Sequence, residues 1–287
     1  METRFLETFL TVVESGSISE GARRSNLTPA GVTQRLRALE AEIGVPLLVR
    51  AGRGVTATRA GSRVAERARP LLRACRDLTA GLDDDVLAGE LRLGAVTTAA
   101  IGLLPDLMVA LRAGHPGIEI RLHPGRSNEL YAKVLDAELD AAMIVQPGFG
   151  VPKTCGWLGI RAEPLIVLVP DRLRGADPFA VLAAEPFIRY DERSWGGKLA
   201  GDYLRARRIR PREIFELETL DAIAVLVNKG LGVSLVPDWA PPWPSGLSLA
   251  RLPVPGAPLR HVGLLWQRAS VRIGIINAVV EQFAAPA

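Results

Sequence analysis

Ala30, Thr33, Gln34 and Arg37 recur at helical spacing, so a helix over this segment would carry them on one face. Small residues at its start allow close approach to a surface. Thr, Gln and Arg then supply donors and acceptors long enough to reach base edges in a DNA major groove, where Arg can hold guanine with two hydrogen bonds. A plainly solvated helix would look similar from this face alone, so the neighbouring residues carry the weight. A second group of residues suits an anion. Thr97 and Thr98 follow a strand pattern and open a helix, which places two hydroxyls beside free backbone N–H groups, an arrangement suited to a carboxylate. Ser127 starts another helix. Tyr190 and Asp191 end a strand, and Thr219 and Asp221 begin a further helix. If either Asp faces the same site as the hydroxyls, a cationic group on the ligand is held there, and an amino acid satisfies both ends.

Enzyme chemistry finds less support. His115, His123 and His261 are scattered without metal-ligand spacing, and there is no Gly-x-Ser-x-Gly or Walker loop. The run GLGVSLVP passes from a turn into a strand, the reverse of a phosphate loop. We therefore expect no catalytic residues, no metal and no cofactor. Cys75 and Cys155 are far apart, which argues against a disulfide framework and fits a reducing cytoplasm. The N-terminus lacks the basic start and continuous apolar core of a signal peptide, and no stretch is long and apolar enough to span a membrane.

The elements that would hold these residues are legible in outline. With 287 residues, 48% of them hydrophobic and 23% charged, the chain suits two globular domains. Phe5, Leu6, Phe9, Leu10 and Val13 form one helical face, and Ser15-Gly16-Ser17 ends it. Ser17 caps a second helix, which turns at Asn26-Leu27-Thr28. Thr28 caps a third helix with Pro29 in its first turn. There Val32, Leu36, Leu39 and Ile43 make the buried stripe opposite the polar face, and Gly44 stops it. Two short helices and a tight turn make a helix-turn-helix. A hairpin follows, LLVR against VTA, with the basic tip Ala51-Gly52-Arg53-Gly54. As a wing it would set Arg50 and Arg53 on backbone phosphates, where they position rather than specify. Charge agrees. Between Gly16 and Arg76 twelve arginines face four acids, a local excess of +8, and no lysine precedes Lys133. That is the footprint of a polyanionic partner, here double-stranded DNA.

From Thr58 a long helix is expected to about Leu87. Val64, Ala68, Leu71, Cys75, Leu78 and Leu82 space as a coiled-coil seam, which predicts a homodimer, and Pro70 should kink the helix. Asp83-Asp84-Asp85 fits a helix end poorly, so fraying is expected there. After residue 90 strands and helices alternate, which predicts an α/β domain with parallel sheets and a ligand at the strand ends. The Pro-rich run PDWAPPWPSG, residues 237–246, reads as a surface loop.

These parts in this order resemble the LysR-type transcriptional regulators over essentially the whole chain. The residues that carry the likeness are FL..V.ESGSIS, TPAGVTQRLRALEAEIGVPLLVR and RGVTATRAG, then LRLGAV…LLP, ELDAAM and GLGVSLVP. The Thr-Pro start and the PLLVR ending are similar to the branch that regulates lysine and arginine export; the effector half is less so. The resemblance implies a winged helix-turn-helix over residues 1–58, a linker and dimerisation helix over 59–88, and an effector domain over 89–287 shaped like periplasmic binding proteins. That domain would divide into subdomain I, 90–162 with 263–287, and subdomain II, 163–262, the effector lying in the cleft between them. It further implies promoter or operator DNA, a small-molecule effector such as an amino acid or organic acid, homotetramers built from dimers, and RNA polymerase as a further partner. Thr98 and Ser127 match positions where the family places pocket hydroxyls. The competing readings are an α/β small-molecule enzyme or ligand-binding protein with a basic arm, a periplasmic binding protein, and a nucleoid-type DNA binder without a ligand.

Overall fold

The computed structural model describes the chain except Arg53, residues 78–86 and residues 285–287. It falls into two compact units, residues 1–83 and 84–287.

In the first unit, helices α1 (Thr3–Ser15), α2 (Ile18–Arg24) and α3 (Pro29–Ile43) precede a hairpin of β1 (Leu48–Ala51) and β2 (Gly54–Ala57) and the long α4 (Arg59–Asp77). The caps are those expected from the residue types. Ser17 accepts from the Glu20 N–H and Thr28 from the Gly31 N–H at 3.1 Å, while Gly16 and Gly44 close α1 and α3 in the left-handed region. Val32, Leu36 and Leu39 are buried with Leu6, Phe9 and Val12 in one core. The hairpin is held to this core by polar bonds. The Glu40 carboxylate accepts from the Leu47 and Leu48 N–H groups at 2.7 and 3.2 Å, and the Val55 N–H donates to the Gly16 carbonyl. Glu40 therefore ties α3 to the base of the hairpin. Glu40→Ala is expected to leave the buried Leu47 N–H unpaired and to cost about 1.5–3 kcal/mol, read from urea unfolding of the full chain.

Helix α4 runs unbroken through position 70 to Asp77. Its inward residues are Ala65, Ala68 and Leu72, packed into the core of its own chain, whereas Leu71 is 44% exposed. Two of the four described seam positions, Val64 and Ala68, are thus spent internally, and Leu71 with the half-buried Cys75 stays on the outer side. Leu78, Leu82 and the three aspartates lie outside the described residues.

The second unit is a two-lobed α/β domain. Its first lobe orders strands as β4 (Ile118–Pro124), β3 (Gly89–Ala95), β5 (Ala141–Val145), β11 (Leu259–Gln267) and β6 (Cys155–Pro170). Helices α5 (Thr97–Gly102), α6 (Leu104–Gly114), α7 (Ser127–Leu135) and α11 (Ile273–Ala284) complete it. The second lobe contains α8 (Pro178–Ala184), β7 (Pro186–Tyr190), α9 (Trp195–Ala206), β8 (Arg212–Leu217), α10 (Leu220–Asn228), β9 (Ser234–Pro237) and β10 (Leu249–Pro253). β9 and β10 pair with the far half of β6. Each lobe buries its own apolar clusters on the faces of its sheet.

Two sequence expectations need correction here. The seven-stranded sheet is mixed, not parallel: β3 runs parallel to β4 and β5, but β11 is antiparallel to both β5 and β6, and only the small β7–β8 sheet is wholly parallel as expected. The reason is that β6 and β11 serve as a paired crossing between lobes and must run in opposite directions. The Pro-rich run is also more than a surface loop. Trp239 and Ala240 are buried, and a Cβ on Gly102 of α5 would come within 2.7 Å of the Ala240 side chain. Trp239 and Trp243 stack at 3.7 Å, with the Arg251 guanidinium 4.2 Å from the Trp243 ring. Prolines here hold an apolar segment against a helix. Among the described residues no helix is long and apolar enough to cross a membrane, and no cluster of three His, Cys, Asp or Glu side chains could hold a metal ion.

Candidate functional site

Opposite its buried stripe, α3 presents Pro29, Ala30, Thr33, Gln34 and Arg37 around one shallow depression. Ala30, Gln34 and Arg37 are exposed, Thr33 half-exposed. The Thr33 hydroxyl donates to the Pro29 carbonyl at 2.8 Å, so outward it offers a methyl group and acceptor lone pairs. Arg37 and Arg50 have no acidic partner among the described residues, and both are exposed. Not every arginine of the basic segment is free in this way. Glu20 holds Arg23 at 2.7 Å and Arg24 at 2.9 Å, and the pairing with Arg23, then Arg24, lowers its own pKa to about 2. Ser17 and Thr28 spend their side-chain oxygens as helix caps. The hairpin pairs Ala51 with Gly54; Arg53 lies outside the described residues.

The second unit contains one cavity that gathers most of the predicted ligand residues. Four strand ends feed helix starts around it: β3 into α5, β4 into α7, β7 towards α9, and β8 into α10. Thr97, Thr98, Ser127, Tyr190, Thr219 and Asp221 all line it. Of the four helix starts, those of α5, α7 and α10 have no side-chain cap, while Ser194 caps α9 through the Gly197 N–H. Uncapped starts leave N–H donors and positive dipole ends directed at one small volume. The close seat of α9 on the end of β7 depends on Gly197, where a Cβ would lie 2.0 Å from the Asp191 carbonyl oxygen.

Individual residues depart from expectation in informative ways. Ser127 is the first residue of α7 rather than its cap, and it is buried; its oxygen accepts from the Val145 N–H at 3.1 Å and so ties α7 to β5. Thr98 accepts from Arg260 at 3.3 Å. Asp191 does not line the cavity. It is 1% exposed and held by the Arg193 side chain at 3.0 Å and the Arg193 N–H at 2.8 Å, and Arg193 keeps its pKa below the usual range. Asp221 is the opposite case: it lines the cavity, and desolvation raises its pKa.

Four charged groups escape the sequence reading. Arg260 is 2% exposed yet lines the cavity, and its Nε donates to Glu163 at 2.7 Å. Glu163 also accepts from the Ala240 N–H at 3.2 Å. Arg260 and Glu163 are direct cross-strand partners of β11 and β6. Across the cleft, Arg126 of the first lobe donates twice to Glu218 of the second, at 2.7 and 2.5 Å. The signal available was a charged residue inside otherwise apolar strands, and an Arg immediately before a helix start.

Comparison with known proteins now bears on both surfaces. Residues 3–62 match the model of the bacterial regulatory helix-turn-helix protein, lysR family, and residues 84–286 match the LysR substrate binding domain. The HTH-type transcriptional regulator CzcR of Bacillus cereus is 28% identical over 241 residues, covering 84% of this chain and 81% of its own. The HTH-type transcriptional regulator IlvR of Caulobacter vibrioides is 29% identical over 301 residues, covering all of both chains. Full-length CbnR, solved in complex with its target DNA, superposes with a TM-score of 0.73 over 99% of each chain at 23% identity, a likeness of fold. The chain belongs to the LysR family, as a DNA-binding regulator with an N-terminal helix-turn-helix and a C-terminal effector-binding domain.

Proposed function

We propose that this protein binds promoter DNA through the outer face of α3, with Arg50 and Arg53 of the hairpin on phosphates, and that a small zwitterion in the cleft modulates that binding. An amino acid is the first reading and an organic acid the second. The observation that carries it is the convergence of uncapped helix starts and Arg260 on one side of a cavity whose other side holds the unpaired carboxylate of Asp221. A carboxylate suits the first and an ammonium the second. The likeness to the lysine and arginine export branch is confined to the DNA-binding half, and the second cavity carboxylate, Glu218, is already taken by Arg126. In this reading the regulator works on cytoplasmic DNA as a homodimer joined through α4 at Leu71 and Cys75, with dimers pairing into tetramers. The domain limits that go with it are 1–58, 59–88 and 89–287.

A footprint on the DNA upstream of its own gene, with and without metabolite extract, tests the regulator. An interrupted palindrome whose protection or bending changes with extract is the expected result. No protection at low salt, there or on random fragments, would overturn it and favour an α/β enzyme. Titration calorimetry with amino acids and organic acids tests the effector; no heat from either class removes it. Asp221 adds a pH signature. Its folded pKa lies above the ordinary 3.8 because burial disfavours the charged form, and that stability cost builds as pH rises from 3.8 to the folded pKa. A bound ammonium favours the charged form. Affinity for an amino acid is therefore expected to fall as pH drops through that raised pKa, and Asp221→Asn should flatten the dependence.

A further inference from the structure

A second cavity adjoins the one just described. Its volume is about 330 Å³, against about 80 Å³ for the first. The two share Val145, Trp195 and Arg260 as walls. Beyond that boundary the walls turn apolar, with Pro147, Phe149, Leu199 and Leu259. Phe149 is 56% exposed and Leu259 46% exposed, large apolar groups facing open space. Phe149 is nonetheless fixed, since its ring meets Tyr131 at 5.6 Å and Trp195 at 5.8 Å, both edge to face. At the rim Lys198 and Asp202 lie 3.5 Å apart and offset each other's charge.

The sizes decide what each space can hold. The first matches a few water molecules, enough for a carboxylate and an ammonium but not for a whole effector, whose sites usually measure about 300–1,000 Å³. The second supplies the missing volume; besides the paired Lys198 and Asp202 and the shared Arg260, its polar lining is Gln146 and the exposed His261, and the rest is apolar or glycine.

We propose that the second cavity receives the effector's side chain, and that the effector is an amino acid with a large aliphatic or aromatic side chain. The inference rests on the reading of the first cavity as the seat of the two charged groups. Trp195 forms the boundary, so a side chain leaving the first cavity passes its indole and lies against Phe149, Leu199 and Leu259.

The test uses the full chain, with calorimetry and tryptophan fluorescence, and glycine, alanine, valine, leucine and phenylalanine as probes. Deaminated counterparts, 4-methylpentanoate and 3-phenylpropionate, are run beside them. Affinity is expected to rise about fourfold per buried methylene from alanine to leucine. Leu259→Trp, which fills the cavity from a partly exposed strand end, should weaken leucine and phenylalanine about tenfold and leave alanine unaltered. Equal affinity for alanine, leucine and phenylalanine in the unmodified protein would overturn the inference, as would the absence of binding by every apolar probe. If the deaminated acids bind as tightly and with the same size dependence, the side-chain cavity stands and the ammonium reading falls.

Discussion

Arg260→Met is expected to cost the effector domain about 3–5 kcal/mol. The Glu163 carboxylate is 1% exposed, and removing its partner leaves a charge in an apolar crossing between lobes. Arg161 lies 3.4 Å away but is 39% exposed, and its geometry makes no hydrogen bond, so it offsets only part of the loss. The double variant Arg260→Met with Glu163→Gln should recover most of it. The charge is then gone, and the Gln oxygen still accepts from the Ala240 N–H. Urea unfolding of the two variants separates the outcomes. A single variant as stable as the unmodified protein would mean that the pair contributes nothing.

Arg37→Ala is expected to weaken binding to the natural operator by about 1–3 kcal/mol while leaving random DNA almost unaffected. Arg37 is exposed, without an acidic partner among the described residues, and stands on the open face of α3. Arg50→Ala should behave differently. A phosphate contact carries no sequence information, so its loss should weaken all DNA alike and lower the slope of log affinity against log salt by about 1. Affinity on operator and random duplexes over a salt series checks both. If Arg37→Ala binds the operator unchanged at moderate salt, α3 does not read bases through this residue.

The parts of the fold that were legible in sequence share one trait: the information is local. The stripe of Val32, Leu36 and Leu39 and the caps at Ser17 and Thr28 each involve residues within one or two turns. Six of the seven residues expected around the ligand sit together because strand ends and helix starts can be read from short patterns. What escaped was either atypical or distant. β8, REIFEL, is exposed at nearly every position and shows no alternation to read. In β6 only the apolar run from Pro164 onward reads as a strand, because Arg161, Glu163 and Pro164 in its middle have the composition of a loop. They lie where the strand passes from one lobe to the other. Asp177 caps α8 with Pro178 in its first turn, but the helix is only seven residues long and lacks a neighbouring motif to mark it. Arg260 with Glu163 and Arg126 with Glu218 are 97 and 92 residues apart, and only the register of β6 with β11 and the cleft bring them together.

That register has a consequence for how such a sensor diversifies. Pro164 and Leu259 are paired neighbours, so the chain leaves the first lobe and returns to it at one place. The second lobe is in effect an insertion whose ends already meet, the arrangement most tolerant of exchange. It carries Tyr190, Trp195, Leu199, Thr219 and Asp221, while Thr97, Thr98 and Ser127 stay behind. On the proposed reading of the cleft, replacing one cassette would alter which side chain and which second charge are accepted, with the carboxylate seat and everything upstream of it retained. A lineage could in this way acquire a new signal without rewriting the DNA sites it already controls.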